Sequence, residues 1–360
     1  MSAPVLEFLY RGDQYLRSMV RPRVVRNLAE ANSWAKHAVA DCQSLTECWR
    51  ALGWSPIEEL QGGKLDLSTT CTGIDTPVYA SLLFSNAIET TVGRGIALRN
   101  VHACERDLQC IEELLHGPLP PECVFDNMLN WLSAAQNREL KGVKSGDTDK
   151  VRAAILGGTL KTKAWCVAHG KLCFLRHSHM NISGTPCIHH STFGKREGMG
   201  GGSNRVYYVW AKQRMDSQER MWILENVSEF GLQETLRCLG HLYDITRIVA
   251  NSNDEGWRSS RFRQFLVGRH KALKSVIPPA ISERFSVLAD VRSVFEALFT
   301  RTCVFNQNEY KIATEEELRA ELEWMQNRPH VLLRYDPERL AVAFPHHVPF
   351  QLRCEFCKSS

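Results

Sequence analysis

Apolar residues recur along the chain in two different periods. Over residues 1 to 62 the spacing is helical: Leu28, Ala31, Trp34 and Ala38 return at three- to four-residue steps, with Glu30 and Lys36 between them. Gly62-Gly63 breaks that pattern, so a helical N-terminal extension is expected to end there. Further on, short apolar or β-branched runs alternate with stretches of helical composition. The runs are Leu65–Cys71, Val101–Cys104, Cys123–Asp126, Met180–Ser183, Met221–Val227, Ile245–Ala250 and Phe262–Gly268. Asp107–Leu115 and Leu232–Tyr243 are helical stretches between them. Strands separated by helix-length connections imply crossover units, hence an α/β fold with a mostly parallel sheet and helices on both faces. Residues 140–163 read as a Lys/Gly/Thr-rich loop or linker, and 195–205 as a glycine-rich mobile segment. Glu315–Gln326 reads as a charged helix, and the last 30 residues show no clear element. The expected organisation is an extension over 1–62, a catalytic domain over 63–275 and a C-terminal segment over 276–360.

Composition narrows the class without naming a function. With 44% hydrophobic and 23% charged residues over 360 positions, disordered, collagen-like and coiled-coil chains are excluded. No run of 18 apolar residues exists, so no membrane span is expected. A net charge of +4 is compatible with a polyanionic partner and too small to imply one. The 13 cysteines are scattered and odd in number, and Met1-Ser2-Ala3-Pro4 does not open a secretory signal. Reduced thiols in an intracellular protein, nuclear if the source is eukaryotic, are expected.

In a parallel sheet, ligands bind outside the carboxyl ends of the strands. Four places at such ends carry candidate chemistry. Asp66 to Asp75 is a strand running into a turn, where Gly73 lets the backbone approach a nucleoside and Glu105, at the next strand's end, suits a ribose diol. Gly184-Thr-Pro-Cys-Ile-His-His-Ser191 holds Cys187 in a loop after Pro186. Nearby histidines, Arg261 or Arg263 are expected there to favour its thiolate. Glu225, after the run Trp222-Ile-Leu, is a carboxylate whose burial would keep it protonated, or else a cap on the following helix. Arg261-Phe-Arg263 puts two guanidinium groups on one strand face, suited to an anion or a pyrimidine carbonyl, or simply solvated.

The order and spacing of these four places resemble the cytosine-5 methyltransferase family over residues 64–272. The most specific piece is the Pro-Cys-x-x-x-Ser loop from Pro186 to Ser191. Glu225 before Asn-Val, the Arg261-x-Arg263 strand ending in Gly, the segment from Lys195 and Tyr207–Lys212 complete the likeness. The resemblance implies a class I methyltransferase, Rossmann-like fold with a seven-stranded sheet, and S-adenosylmethionine as cofactor. It implies DNA as partner, with RNA an alternative and no membrane. Cys187 would attack carbon 6 of a flipped cytosine, Glu225 would bond the ring nitrogen, and Arg263 with Arg261 would hold the carbonyl. Gly73 and Ile74 would form the cofactor turn, Glu105 would take the ribose, Asp126 the adenine amine, and Pro186 would line the cofactor side. The chain departs from the family at Cys71–Thr76, Ile188 and Ser259, and no target-recognition region is recognisable after residue 280, as in a shortened or divergent member.

Two rival readings compete. Cys166, His169, Cys173 and His177 have zinc-ligand spacing, and Cys354-x-x-Cys357 adds a pair. Leu172–Ile182 also reads as a strand, however, and no metal is expected. A non-catalytic methyltransferase-fold module binding nucleic acid or protein is the other rival. It leaves Cys187, Glu225, Arg261 and Arg263 without a shared purpose.

Overall fold

The computed structural model describes residues 23–25, 33–39, 64–93, 95–144, 146–190, 197–252, 254, 261–273 and 301–303. In chain order the strands are β1 (Arg23–Val25), β2 (Lys64–Thr70), β3 (Ala97–Cys104), β4 (Val124–Phe125), β5 (Lys163–Cys166) and β6 (Lys171–Phe174). They continue with β7 (Met180–Ser183), β8 (Met221–Asn226), β9 (Tyr243–Asn251), β10 (Phe262–His270) and β11 (Arg301–Cys303). β1 and β11 pair in parallel as a separate ribbon.

The main sheet has the order β6-β5-β4-β3-β2-β7-β8-β10-β9. Strands β4, β3, β2, β7 and β8 run parallel, and β10 lies antiparallel between β8 and β9. All seven expected runs are strands of this sheet. It has nine strands rather than seven, because β5 and β6 form an antiparallel hairpin added at the β4 edge. The remaining order is that of a methyltransferase-like α/β sheet. From β2 the chain steps outward to β3 and β4, then returns to place β7 on the other side of β2. That reversal opens a crevice at the carboxyl ends of β2 and β7.

Among the described residues, the α-helices bounded at both ends are α1 (Thr76–Val92), α2 (Leu108–His116), α3 (Ala134–Leu140), α4 (Thr148–Leu156), α5 (Asn204–Ser217) and α6 (Leu232–Leu239). Local signals start them. Asp107 accepts from Gln109 N–H and Cys110 N–H at the head of α2, and Ser133 with Gln136 forms a capping box on α3. The stretch 140–163 is not a linker: Val151, Ala154 and Ile155 recur at helical spacing and bury one face of α4. The large core joins α4 and α5 to the sheet through Phe125, Trp131, Tyr207, Trp210, Trp222 and Tyr243. On a second, smaller cluster, helical residues 34–39 contribute Ala35 and Val39 against Ala87 and Ile88 of α1. Those residues fall within the expected helical extension. Arg23–Val25, also within that stretch, form strand β1 rather than helix, and the remainder of it, Glu315–Gln326 and Cys354-x-x-Cys357 lie outside the described residues.

Candidate active site

Parallel pairing brings Thr70 of β2 beside Ser183 of β7, and both strands end there. Gly184 N–H donates to the Thr70 carbonyl at 3.0 Å, so the loop carrying the candidate nucleophile leaves directly from the crevice. A Cβ at position 184 would stand 2.9 Å from the Cys71 carbonyl oxygen and 3.4 Å from Glu225 Oε2. The backbone oxygen of Cys71 leaves room there for glycine and for no side chain. From β8, Asn226 Nδ2 donates to the Thr185 carbonyl at 2.9 Å and lies 3.2 Å from Thr185 Oγ1, while Asn226 Oδ1 accepts from Val227 N–H at 3.0 Å. The loop is thereby hung on the end of β8. Pro186 is exposed, Cys187 is half-buried, and His190 N–H closes a turn onto the Cys187 carbonyl at 2.8 Å.

Three distant segments meet around Cys187. Arg263 Nε lies 2.9 Å from Glu225 Oε1, and Arg263 Nη1 donates to the Phe262 carbonyl at 2.7 Å. Strands β8 and β10 set this pair: Glu225 is opposite Phe265, so Arg263, two residues away, shares its face. Arg261, whose N–H donates to Asn251 Oδ1 at 2.9 Å, acts on the same thiol. Burial pushes the Cys187 thiol above its usual range, Arg263 and Arg261 pull it down, and Glu225 pushes it up. The expectation of a favoured thiolate is thus corrected: the arginines act in the expected direction, but desolvation outweighs them. The histidines serve elsewhere. His189 Nδ1 lies 2.7 Å from Glu197, and the His190 ring sits 4.7 Å from that of Phe230. Glu225 also departs from expectation, since its side chain is 36% exposed and ion-paired rather than buried. Nor does it cap a helix, because α6 begins at Leu232 with Gly231 before it.

On the far side of Gly184 lies the candidate cofactor turn. Cys71, Gly73 and Asp75 all have left-handed backbone, with φ of 56°, 64° and 63°. For the two non-glycine residues this costs about 1–2 kcal/mol each. Fixed hydrogen bonds hold the turn. Gly73 N–H donates to Glu105 Oε2 at 2.9 Å, and Glu105 Oε1 accepts from Arg106 N–H at 2.7 Å and Asp107 N–H at 3.1 Å. Asp75 turns inward, accepting from Thr72 Oγ1 at 3.1 Å and Asn100 Nδ2 at 3.0 Å; burial raises its carboxyl above the usual range. Burial, and then the charge of Glu105, push the Cys71 thiol up to about 12. Ile74 is exposed. Asp126, at the end of β4, accepts from Asn130 Nδ2 at 3.1 Å. Gly73, Glu105 and Asp126 therefore follow the carboxyl ends of three adjacent parallel strands. Acceptors there fit a molecule bearing ribose hydroxyls and an adenine amine, since Glu105 Oε2 and the Asp126 carboxylate, each accepting a single hydrogen bond, retain unused lone pairs.

Some contributing residues had no role in the sequence reading. Asn226 and Gly184 stand inside the motifs that drew attention, and their signal was position: an amide at a strand end, and a glycine opening the Pro-Cys loop. Beneath the crevice, Thr70 and Ser183 hydroxyls hydrogen-bond, and Ser183 Oγ lies 2.5 Å from Asn181 Oδ1. Asn181 Nδ2 in turn reaches Ser68 Oγ at 2.9 Å. Such a satisfied buried network fixes the register of β2 against β7.

Residues 175–333 match the model of the family described as C-5 cytosine-specific DNA methylase. No curated protein matches the chain. Among solved structures it is similar to a putative DNA modification methyltransferase encoded within an E. coli prophage, at 16% identity and a TM-score of 0.35, covering 58% of this chain and 47% of that one. It is similar to the Dnmt2 methyltransferase of S. pombe, at 13% identity and a TM-score of 0.33, covering 59% and 51%. A third is the Entamoeba histolytica methyltransferase EhMeth, at 12% identity and a TM-score of 0.35, covering 59% and 55%. The chain spans about half the length of these proteins. Gly73, Glu105 and Asp126 lie outside the matched residues, whereas the Cys187 loop, Glu225 and the Arg261/Arg263 strand lie within them. The likeness read from the sequence is therefore shown where the charged half of the crevice stands: residues 175–333 are similar to the C-5 cytosine-specific DNA methylases.

Proposed function

We propose that this protein transfers a methyl group from S-adenosylmethionine to carbon 5 of cytosine in DNA, through a covalent Cys187 adduct on a flipped base. The observation that carries the reading is the meeting of Cys187 with the Arg263–Glu225 pair and Arg261 at the switch point. A half-buried thiol between two guanidinium groups and one carboxylate has little purpose as core packing. It suits attack on a polar ring whose carbonyl and nitrogen need opposite partners.

The residues divide the work as follows. A base inside a duplex presents no path to carbon 6, so it leaves the stack at a cost of a few kcal/mol. Arg263 and Arg261 donate to its carbonyl. Glu225 bonds the ring nitrogen and carries a proton to it as Cys187, having lost its own to solvent, bonds to carbon 6. Electron density moves to carbon 5. S-adenosylmethionine supplies an electrophilic methyl group for that carbon. Solvent takes the carbon 5 proton, the Cys187 sulfur leaves as thiolate, and the ring nitrogen returns its proton to Glu225, which restores the ring. Glu105 would hold the cofactor's ribose and Asp126 its adenine amine, with the Gly73–Ile74 turn against it and Pro186 on the nucleophile's side. The catalytic unit is residues 63–275, with the C-terminal segment contributing to the grip on nucleic acid.

The test is a denaturing gel of the full chain with S-adenosylmethionine and 5-fluorocytosine-containing DNA or RNA. Fluorine does not leave as a proton, so the adduct persists. A shifted band on DNA, absent in Cys187→Ala while that variant still binds cofactor, is expected. A band on RNA alone would transfer the reading to RNA. Cofactor binding with no band on either would make the chain a binding module.

A further inference from the structure

Four soft ligands converge at the opposite edge of the sheet from β9. Cys166 ends β5, His169 lies in the hairpin turn and Cys173 lies in β6. Register pairs Ala164 with Cys173 and Phe125 with Cys166. Alternation therefore sets Cys166, Cys173 and Cys123, two residues before Phe125, on one face. His169 Nδ1 lies 3.3 Å from Cys166 Sγ, 3.4 Å from Cys173 Sγ and 3.8 Å from Cys123 Sγ. All four ligand atoms lie within 4.8 Å of one another. The three cysteines are free thiols, two of them buried.

Hydrogen bonding does not account for this arrangement. One imidazole nitrogen offers a single lone pair or a single N–H, so it serves one thiol and not three. Three sulfurs around one nitrogen instead have the shape of a coordination shell. Zinc with Zn–S near 2.3 Å and Zn–N near 2.0–2.1 Å in a tetrahedron separates nitrogen from sulfur by about 3.6 Å, and the observed spacings bracket that value.

We propose that Cys123, Cys166, His169 and Cys173 bind one zinc ion in a closed structural site. Thiolate and imidazole ligands select a borderline-soft cation, and four protein ligands leave no position for a reactive water. The three thiols release their protons to solvent as the metal–sulfur bonds form. The set differs from the one suggested by spacing alone: Cys123, more than 40 residues upstream, takes the place offered to His177. A metal answers a weakness in the fold. The hairpin is joined to β4 by the single pair Phe125–Cys166 and by Val167 N–H to the Val124 carbonyl at 2.7 Å. The zinc would clamp three strands there, three residues from Asp126.

The full chain, expressed with zinc and purified without chelator, should carry one zinc per molecule by elemental analysis. Replacing the zinc with Co²⁺ should give the intense visible bands of a tetrahedral site and thiolate-to-metal charge transfer. Cys123→Ser and Cys173→Ser should each fall to trace zinc, while His177→Ala keeps it. A native chain without stoichiometric zinc, or a cobalt spectrum lacking thiolate charge transfer, would overturn the site whatever the variants do. Retention in Cys123→Ser, loss in His177→Ala, or a disulfide among these cysteines would overturn it equally.

Discussion

An arginine–glutamate pair stands near each end of strand β8, and the nitrogen–oxygen distances of the two pairs are almost the same. Before its amino end, Arg214 Nη2 lies 2.8 Å from Glu219 Oε1, with side chains 0% and 1% exposed. Near its carboxyl end, Arg263 Nε lies 2.9 Å from Glu225 Oε1, with side chains 26% and 36% exposed. The same charges at nearly the same distance differ in that water reaches one pair and not the other. In the dry pair desolvation is large, and burial lowers the Arg214 value from its ordinary range. Such a pair holds a structure together and is costly to break. The open pair contributes little to stability, and a polar ring can enter between its partners. Under the proposed function, solvent access rather than residue type would separate scaffold from chemistry on this strand.

Crossing the two substitutions gives the largest effects. Glu225→Gln should lower single-turnover methyl transfer by roughly 10²–10⁴-fold, with urea stability changed by no more than about 1 kcal/mol. Glu219→Gln should do the reverse, costing about 3–5 kcal/mol of stability and leaving the folded fraction competent. Large stability losses in both variants would erase the distinction.

A smaller effect comes from His102, buried in β3 and held down to about 3 by desolvation and then by the charge of Arg214. Between pH 6.5 and 3 the unfolded chain takes up a proton that the folded chain refuses. This stability is therefore complete above pH 6.5 and lost as pH falls. Denaturation at pH 7 and pH 5 should differ by about 2 kcal/mol from this group. His102→Phe should remove that part of the slope. The smallest effect is at the open end. Asn226→Ala should cost about 1 kcal/mol and reduce kcat by slackening the Cys187 loop, with cofactor affinity unchanged in titration.

Much of this was legible in the sequence, because buried parallel strands are continuous apolar runs that end in polar residues. Met180–Ser183 was readable to the residue, and Cys187 and Glu225 stand where such runs stop, whereas Arg261 and Arg263 stand at the amino end of β10, which reaches the same crevice because it runs antiparallel. The hairpin β5–β6 was not: the single strand expected over Leu172–Ile182 is divided between β6 and β7, and β5 had no counterpart. Lys163–Cys166 alternates exposed and buried over four residues, and β6 is mostly exposed, so neither forms an apolar run. Helix α4 was hidden by the lysines, glycines and threonines around Val151, Ala154 and Ile155. Spacing also failed to find Cys123 beside Cys166, because only strand pairing brings them together. Desolvation at Cys187 and exposure at Glu225 are properties of surroundings, which a linear pattern does not contain.

Position 184 turns this geometry into a rule about inheritance. A side chain there would meet the Cys71 carbonyl oxygen at 2.9 Å, closer than real Cβ contacts come. A saturation library at that codon should return glycine alone, even where every other residue keeps the protein soluble. Two segments more than 100 positions apart thus share one constraint, and neither can drift outward or inward without the other. A lineage could rewrite most of the sheet around that point and still carry the same single residue through it.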